Sequence, residues 1–188
     1  MTRVACLIAA AGSSSRFGSA KQLAIVDGKP LLLHSIDAAA AAGFDPIIVV
    51  LGSSSETIAP LLKTANALLV INPAWESGLG SSIACGAAHV PSGSDAVVIM
   101  LADQHGVTPD HLRMLRDRWL ENREHLIVTQ TNAASGPPVL LPGSFIPALK
   151  KLTGDQGARS VLLQHPDRIE FVPAPPAMRD IDRPADLP

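Results

Sequence analysis

The chain has no tyrosine and only two cysteines, and aromatic residues amount to 3% of it. So few aromatics leave no platform on which successive single-stranded bases could stack. The cysteines, Cys6 in an apolar run and Cys85 in a helical stretch, fit buried reduced thiols and not a disulfide framework. Positive charge is also sparse: 15 Lys and Arg stand against 17 Asp and Glu, a formal net charge of -2, with no basic cluster. A nucleic-acid surface needs such a cluster to displace counterions, so nucleic acid is excluded as a partner. Hydrophobic residues reach 47%, yet Gly, Ser, Asp or Pro interrupts each run well short of bilayer length, which argues against a membrane span. Met1-Thr2-Arg3 leads directly into an apolar strand with no room for a signal peptide, so a cytoplasmic location is expected. The six histidines form no HExxH and no paired Cys/His spacing. What these absences leave open is a small anionic ligand held by a few local cations.

At 188 residues the chain suits one domain, over 1–188, with a core that needs no disulfide or metal staple. Apolar β-branched runs recur with helical stretches between them, the pattern of parallel strands joined by crossover helices in an α/β fold. Strands are expected over 4–9, 47–51, 68–71, 96–101, 126–129, 138–141 and 169–172, and helices over 31–42, 55–63, 81–89, 109–122 and 156–164. Thr108 and Pro109 read as the N-cap and first turn of one helix, and Gly43 as the residue that closes another. In an open parallel sheet the ligand crevice lies beyond the carboxyl ends of the strands, so residues that follow strands carry the most weight.

After the first strand comes Ala9-Ala10-Ala11-Gly12-Ser13-Ser14-Ser15-Arg16-Phe17-Gly18-Ser19-Ala20-Lys21. Small side chains let backbone N–H groups approach an anion, glycine permits positive φ, and Arg16 and Lys21 add full charges. The spacing is neither the Walker A pattern nor the dinucleotide fingerprint. Read alone, such a loop is equally an ordinary surface turn; two further segments at strand ends favour the phosphate reading. After the third strand, Gly78-Leu79-Gly80-Ser81-Ser82 opens a helix with small residues, leaving room for a base or an anion at the positive end of the helix dipole. Ser81 is equally a plain N-cap, and the preceding Trp75 is either a cover for the base or a loop anchor.

After the fourth strand stands Asp103, a carboxylate at the mouth of a buried run, which is costly unless a cation meets it. Mg²⁺ takes one or two carboxylates plus substrate phosphates and would suit it; a loop-capping Asp is the alternative. Asp182 offers a second carboxylate for the same ion, because two carboxylates brought together repel unless a cation lies between them. His105, two positions on from Asp103, is expected to face the same crevice or to be a loop histidine without chemistry.

Taken together these segments resemble the molybdopterin nucleotidyltransferases, the cytidylyltransferase branch of the MobA-like NTP transferases in particular, over nearly the whole chain. Ala9 to Gly18 with Lys21 is similar to the family's nucleotide loop, where Ala-Ala-Gly marks cytidine-preferring members. Asn72 to Ser82 resembles its base-side segment, and Asp103-Gln104 its magnesium-binding Asp-Gln-Pro. Gly154-Asp155-Gln156-Gly157-Ala158-Arg159 resembles the late Gly-Asp-x-Gly-Ala-Arg, and Asp180-Ile181-Asp182 the terminal Asp-Ile-Asp-Thr-Pro. His105 stands where the family has proline and Arg183 where it has threonine, two departures that bear on the acceptor pocket.

The resemblance implies a Rossmann-like three-layer α/β domain with a mostly parallel sheet, of the nucleotide-diphospho-sugar transferase type. It implies transfer of CMP from CTP to the phosphate of a molybdopterin-type cofactor, with Mg²⁺ as cofactor and pyrophosphate released. Lys21 and Arg16 would be catalytic, Ala9, Ala10, Ala11, Gly12, Ser13, Gly78, Gly80, Ser81 and Ser82 would bind nucleotide, and Asp103 and Asp182 would hold the metal. His105, Asp155 and Arg159 fall on the acceptor side, where Asp155 and Arg159 also read as a Gly-Asp turn and a helix-start charge. A molybdoenzyme is the implied protein partner. Alternatives are a nucleotidyltransferase for a sugar, choline or polyol phosphate, a non-catalytic cofactor-binding accessory protein, and a serine hydrolase. The last rests on Gly80-Ser81-Ser82-Ile83-Ala84, which has alanine where a nucleophile elbow needs its second glycine.

Overall fold

Seven apolar segments line up as one sheet in the computed structural model, which describes residues 2–132, 134–176 and 178–188. Met1, the first residue of the segment expected to leave no room for a signal peptide, lies outside them. The chain runs β1 (Val4–Ala9), a small hairpin of β2 (Ile25–Val26) and β3 (Lys29–Pro30), α1 (Leu31–Ala41), β4 (Ile47–Leu51), α2 (Ser55–Ile58) and β5 (Leu68–Ile71). It continues through α3 (Leu79–Ala87), β6 (Ala96–Leu101), β7 (Gln104–His105), α4 (Pro109–Glu121), β8 (Leu126–Gln130) and β9 (Ser135–Pro142). Two short helices, α5 (Ile146–Leu149) and α6 (Arg159–Leu162), precede β10 (Ile169–Pro173) and β11 (Arg179–Asp180).

The sheet order is β10-β8-β9-β6-β1-β4-β5. Pairings of β1 with β4 and β6, of β4 with β5 and of β10 with β8 are parallel. The exception to the crossover pattern is β9, antiparallel to both β6 and β8. The chain between Gln130 and Ser135 is far too short for a crossover, which takes a dozen residues or more, so β9 must reverse direction.

Alternation along the buried strands divides the core in two. Cys6, Ile8, Val49 and Val98 face one side with Leu32 and Ile36 of α1 and Leu112, Leu115 and Trp119 of α4. Leu7, Val50 and Ile99 face the other with Ile83 and Ala87 of α3, Leu149 of α5 and Val161 of α6. The result is the expected three layers, helices on both faces of a mostly parallel sheet. Thr108 caps α4 as expected, its hydroxyl accepting from the His111 N–H at 3.2 Å, and Gly43 follows α1 at positive φ. The second expected helix is regular only to Ile58 and tightens into a 3-10 turn over Ala59–Thr64, because Pro60 has no N–H for an α-helical bond. The last expected helix keeps regular form only over Arg159–Leu162, with Gly157 at positive φ just before it. Among the described residues no helix is long and apolar enough to cross a membrane.

A third, smaller apolar cluster positions the site. Val26, Leu31 and Ile181 pack together with Phe17 and Leu187, joining the loop after β1, the hairpin and the last segment of the chain. In that segment β11 pairs antiparallel with β7, and the Ile181 N–H donates to the Asp103 carbonyl at 2.9 Å. Asp182 is thereby brought beside Asp103.

Candidate active site

A cleft of about 420 Å³ opens at the carboxyl ends of β1, β5 and β6. The loop after β1 forms one wall, with Ala9, Ala10, Ala11, Gly12, Ser13 and Arg16 all lining it. The loop is held from behind. The Ala10 N–H donates to the Val50 carbonyl at 2.9 Å, and the Ser53 N–H donates to the Ala11 carbonyl at 3.0 Å. The N–H groups of Ala11, Gly12 and Ser13 have no hydrogen-bond partner among the described residues. Three successive donors beside a cleft are what an anion cradle requires.

Lys21, Asp103 and Asp182 meet on the same side of the cleft. The Lys21 ammonium donates to Asp103 Oδ2 at 2.5 Å and to Asp182 Oδ1 at 3.4 Å. Arg16, largely exposed, places Nη1 2.9 Å from Asp182 Oδ2. One cation, Lys21, thus bridges the two carboxylates, and a second, Arg16, pairs with Asp182 alone. Asp103 Oδ1 is buried and has no hydrogen-bond partner among the described residues. A hard, unsatisfied oxygen of this kind fits a divalent cation, which takes one or two carboxylates and completes its shell with phosphate oxygens and water. Among the described residues no three His, Cys, Asp or Glu side chains converge as a cage, so protein ligands alone would leave such an ion undersupplied. Asp180 adds a third carboxyl nearby, raised above the usual range first by loss of hydration and then by the Asp103 charge. Its own position is fixed by pairing with Gln104.

The opposite wall carries Trp75, Gly78, Leu79, Ser82 and Asp155. Ser81 is not an N-cap: α3 starts at Leu79, and the Ser81 hydroxyl bonds to the Gly78 carbonyl at 2.8 Å inside the first turn. Asn72, buried at the end of β5, donates to the hydroxyls of Ser81 at 2.9 Å and Ser82 at 3.1 Å and so fixes this corner. Gly78, at φ 111, lies where a Cβ would meet the Asp155 carboxylate and the Gly154 backbone. The Gly80 N–H donates to the Gly154 carbonyl at 2.7 Å. Gly80 and Ser81 therefore support the cleft from outside its lining, while Gly78 and Ser82 line it. Trp75 both lines the cleft and packs on Gly52 at the end of β4.

A second cavity of about 400 Å³ adjoins the first and shares Leu79 and Leu101 with it. It is apolar, walled by Ile83, Ile99, Val128, Val139 and Pro137 among others, and among the described residues Arg159 is the one charged side chain lining it. Asp155 and Arg159, five residues of sequence that look like one motif, therefore open into different cavities. His105 lines neither. The chain turns at Ala102-Asp103, and the His105 ring lies edge-on to His34 of α1 with centroids 5.9 Å apart. Burial first, then the charges of Arg179 and His34, hold its pKa below the ordinary value. The expectation that His105 faces the crevice with Asp103 is corrected accordingly. Arg183 is exposed and also lines neither cavity. Gln22, which the sequence reading passes over, is buried in the floor of the cleft next to Lys21.

The profile of the MobA-like NTP transferase domain matches residues 6–169. The purine catabolism protein PucB of Bacillus subtilis is 31% identical over 162 residues, which are 81% of this chain and 77% of PucB. The nicotine blue oxidoreductase of Paenarthrobacter nicotinovorans is 25% identical over 175 residues, 88% of this chain and 84% of the other. The crystal structure of Rv0371c from Mycobacterium tuberculosis superposes with a TM-score of 0.82 at 26% identity, covering 97% of this chain and 94% of that one. A further structure of Rv0371c holds it in complex with manganese. The matched span runs from within β1 to the first residue of β10 and includes every strand whose end borders the cleft, and on that match this chain belongs to the MobA-like NTP transferase domain family of nucleotidyltransferases.

Proposed function

We propose that this chain moves CMP from CTP onto the phosphate of a molybdopterin-type cofactor and releases pyrophosphate, with Mg²⁺ as its cofactor. The observation that carries this reading is the meeting of Lys21 with Asp103 and Asp182 beside an anion cradle of free N–H groups. A phosphate oxygen of the acceptor attacks the α-phosphorus of CTP. The new P–O bond forms as the bond from the α-phosphorus to the bridging oxygen breaks, and pyrophosphate leaves with the electron pair. An acceptor phosphate monoester is already anionic at neutral pH, so no strong general base is needed. Positioning and charge neutralisation supply the catalysis.

The N–H groups of Ala11, Gly12 and Ser13 hold phosphate oxygens, and Arg16 and Lys21 offset the charge that grows on them. Asp103 and Asp182 are the residues that would hold Mg²⁺, which when bound neutralises phosphate charge. The pair of alanines, Ala10 and Ala11, ahead of Gly12 supports cytidine as the base, which lies between this loop and Gly78 to Ser82. The apolar second cavity with Arg159 suits the body of the acceptor, and its junction with the first at Leu79 and Leu101 suits delivery of the acceptor phosphate. The manganese complex of Rv0371c supports a divalent ion in a protein of this fold. The product would pass to a molybdoenzyme, and the cytoplasm, where nucleoside triphosphates are made, is the compartment we infer.

The test is pyrophosphate release from CTP, GTP or ATP with Mg²⁺ and molybdopterin, with sugar, choline and polyol phosphates as alternative acceptors. Release with CTP and molybdopterin supports the reading. Failure of all three nucleotides to bind in calorimetry overturns it.

A further inference from the structure

An anion-binding loop has a requirement that its sequence does not state: its carbonyl oxygens must be kept off the phosphate. In a trans peptide the C=O and the following N–H point in opposite directions, so pulling a carbonyl one way turns the next N–H the other way. Three successive carbonyls of this loop are pulled. The Ala11 carbonyl is taken by the Ser53 N–H at 3.0 Å. The carbonyls on either side of it are both taken by one side chain, the Gln22 amide, whose Nε2 donates to the Ala10 carbonyl at 2.9 Å and to the Gly12 carbonyl at 3.3 Å. The Gln22 Oε1 accepts from the Ser14 hydroxyl at 3.3 Å, and the two carbonyls, which can only accept, fix the flip of the amide. Gln22 is 3% exposed, so these bonds are made away from bulk water, where an unpaired amide or carbonyl is costly. Both amide hydrogens of one residue are therefore spent on holding the loop after β1 open.

Resting on the nucleotide-site reading, we infer that Gln22 is a positioning residue that orients the N–H groups of Ala11 and Ser13 for the triphosphate. It touches no reacting atom. It acts through the two peptide units it grips, and Ser53 sets the Gly12 N–H between them. The recognition it supports belongs to the triphosphate and is blind to the base. Lys21, its chain neighbour, delivers charge to the same place from the same 3-10 turn, Lys21–Leu23. The turn thus supplies both the cation and the amide that aims the backbone dipoles.

The experiment is titration calorimetry of the whole chain with CTP and, separately, with inorganic tripolyphosphate, each with Mg²⁺, on the wild type and on Gln22→Met. Methionine keeps the length and removes the hydrogen bonds. Both ligands should weaken by the same factor, about ten- to a hundredfold, the range for charge-assisted hydrogen bonds. The ratio of the CTP and tripolyphosphate affinities should stay at its wild-type value. A merely structural role would disturb the base side as well and lower CTP affinity more, which overturns the inference, as does wild-type binding by the variant. Wild-type protein that binds neither ligand overturns the nucleotide site itself and the inference with it. Should Gln22→Met not fold, the wild type still decides: amide resonances of Ala11, Gly12 and Ser13 must shift on adding tripolyphosphate with Mg²⁺. If they stay in place, the inference is wrong.

Discussion

The Lys21 ammonium touches Asp103 across 82 positions of chain, at 2.5 Å, while the other oxygen of that carboxylate is buried without a partner among the described residues. One contact thus joins the end of the phosphate loop to the end of β6. Lysine here stands in the gap between two carboxylates that would otherwise repel. In the proposed reaction Asp103 and Asp182 would hold a divalent cation in place of the ammonium, and Lys21 would turn to phosphate oxygens. Each charged group would then exchange one partner for another, and none would be left bare in the cleft.

Lys21→Ala should therefore cripple turnover and leave the fold intact. One fully used electrostatic contact to a transition state is worth ~3 kcal/mol, about a hundredfold in rate. Pyrophosphate release at saturating nucleotide, compared with the wild type, measures it, and a thermal melt confirms folding. Unchanged release would remove Lys21 from the catalytic assignment.

Asp182 is aimed by a residue of its own segment. The Asp186 carboxylate accepts from the Asp182 N–H at 2.9 Å and from the Arg183 N–H at 2.7 Å, and these two bonds hold its pKa below the ordinary value. Loss of a partner that orients a metal ligand typically lowers metal affinity by about ten- to a hundredfold. Asp186→Ala should weaken Mn²⁺ binding in the presence of CTP by about that factor, read by electron paramagnetic resonance. Asp186→Asn retains an accepting oxygen and should keep most of the affinity. Equal affinities in all three proteins would show that Asp182 needs no such anchor.

The strand ends were legible in the sequence because buried β-branched runs announce themselves and because a charged residue at the end of such a run has few explanations. Asp103 after β6 is of that kind, and its convergence with Lys21 follows from parallel strands pointing their ends the same way. The direction of β9 was not legible from apolar pattern, which is the same for either direction; only the short link after Gln130 decides it. His105 escaped for a different reason. Counting by twos from Asp103 assumes a straight strand, but the chain turns at Ala102-Asp103 and sends His105 toward α1. Gln22 carries no signal, since its amide hydrogens go to backbone carbonyls and any residue can provide those.

Gly80 should tolerate no side chain. A Cβ there would come within 2.6 Å of the Thr153 carbonyl oxygen and 2.8 Å of the Gly154 carbonyl oxygen, both backbone atoms that cannot swing aside. Gly80→Ala should force the start of α3 off the 153–155 turn, at a cost of about 1–3 kcal/mol by the measure of overpacked cores. Urea unfolding gives the number. Because Gly78 and Asp155 sit on the two elements pushed apart, nucleotide affinity should fall in the same variant. A variant as stable as the wild type would mean that the turn moves freely with α3.

His111 in α4 is buried, and burial lowers its pKa to about 4. The Thr129 hydroxyl donates to the Pro138 carbonyl at 2.6 Å, so it must accept from His111 Nε2, which lies 2.8 Å away. The proton is therefore on Nε2, and Nδ1 is buried with no hydrogen-bond partner among the described residues to accept from it were it protonated. An unfolded histidine titrates near 6.5. Between that value and about 4 the unfolded chain binds the proton and the folded chain does not. Stability from this group is thus intact above about pH 6.5, declines as pH falls toward 4, and loses nothing further below. The full loss is about 3 kcal/mol at most, from the size of the shift. Carboxylates also titrate at the acid end, so the comparison must be made against His111→Gln, which can still donate to Thr129 but cannot take up a proton. Urea unfolding of both proteins at pH 7 and pH 4.5 should show the wild type losing more stability than the variant on acidification. Equal losses would mean that His111 gains its proton without unfolding, through an opening of α4 over β8.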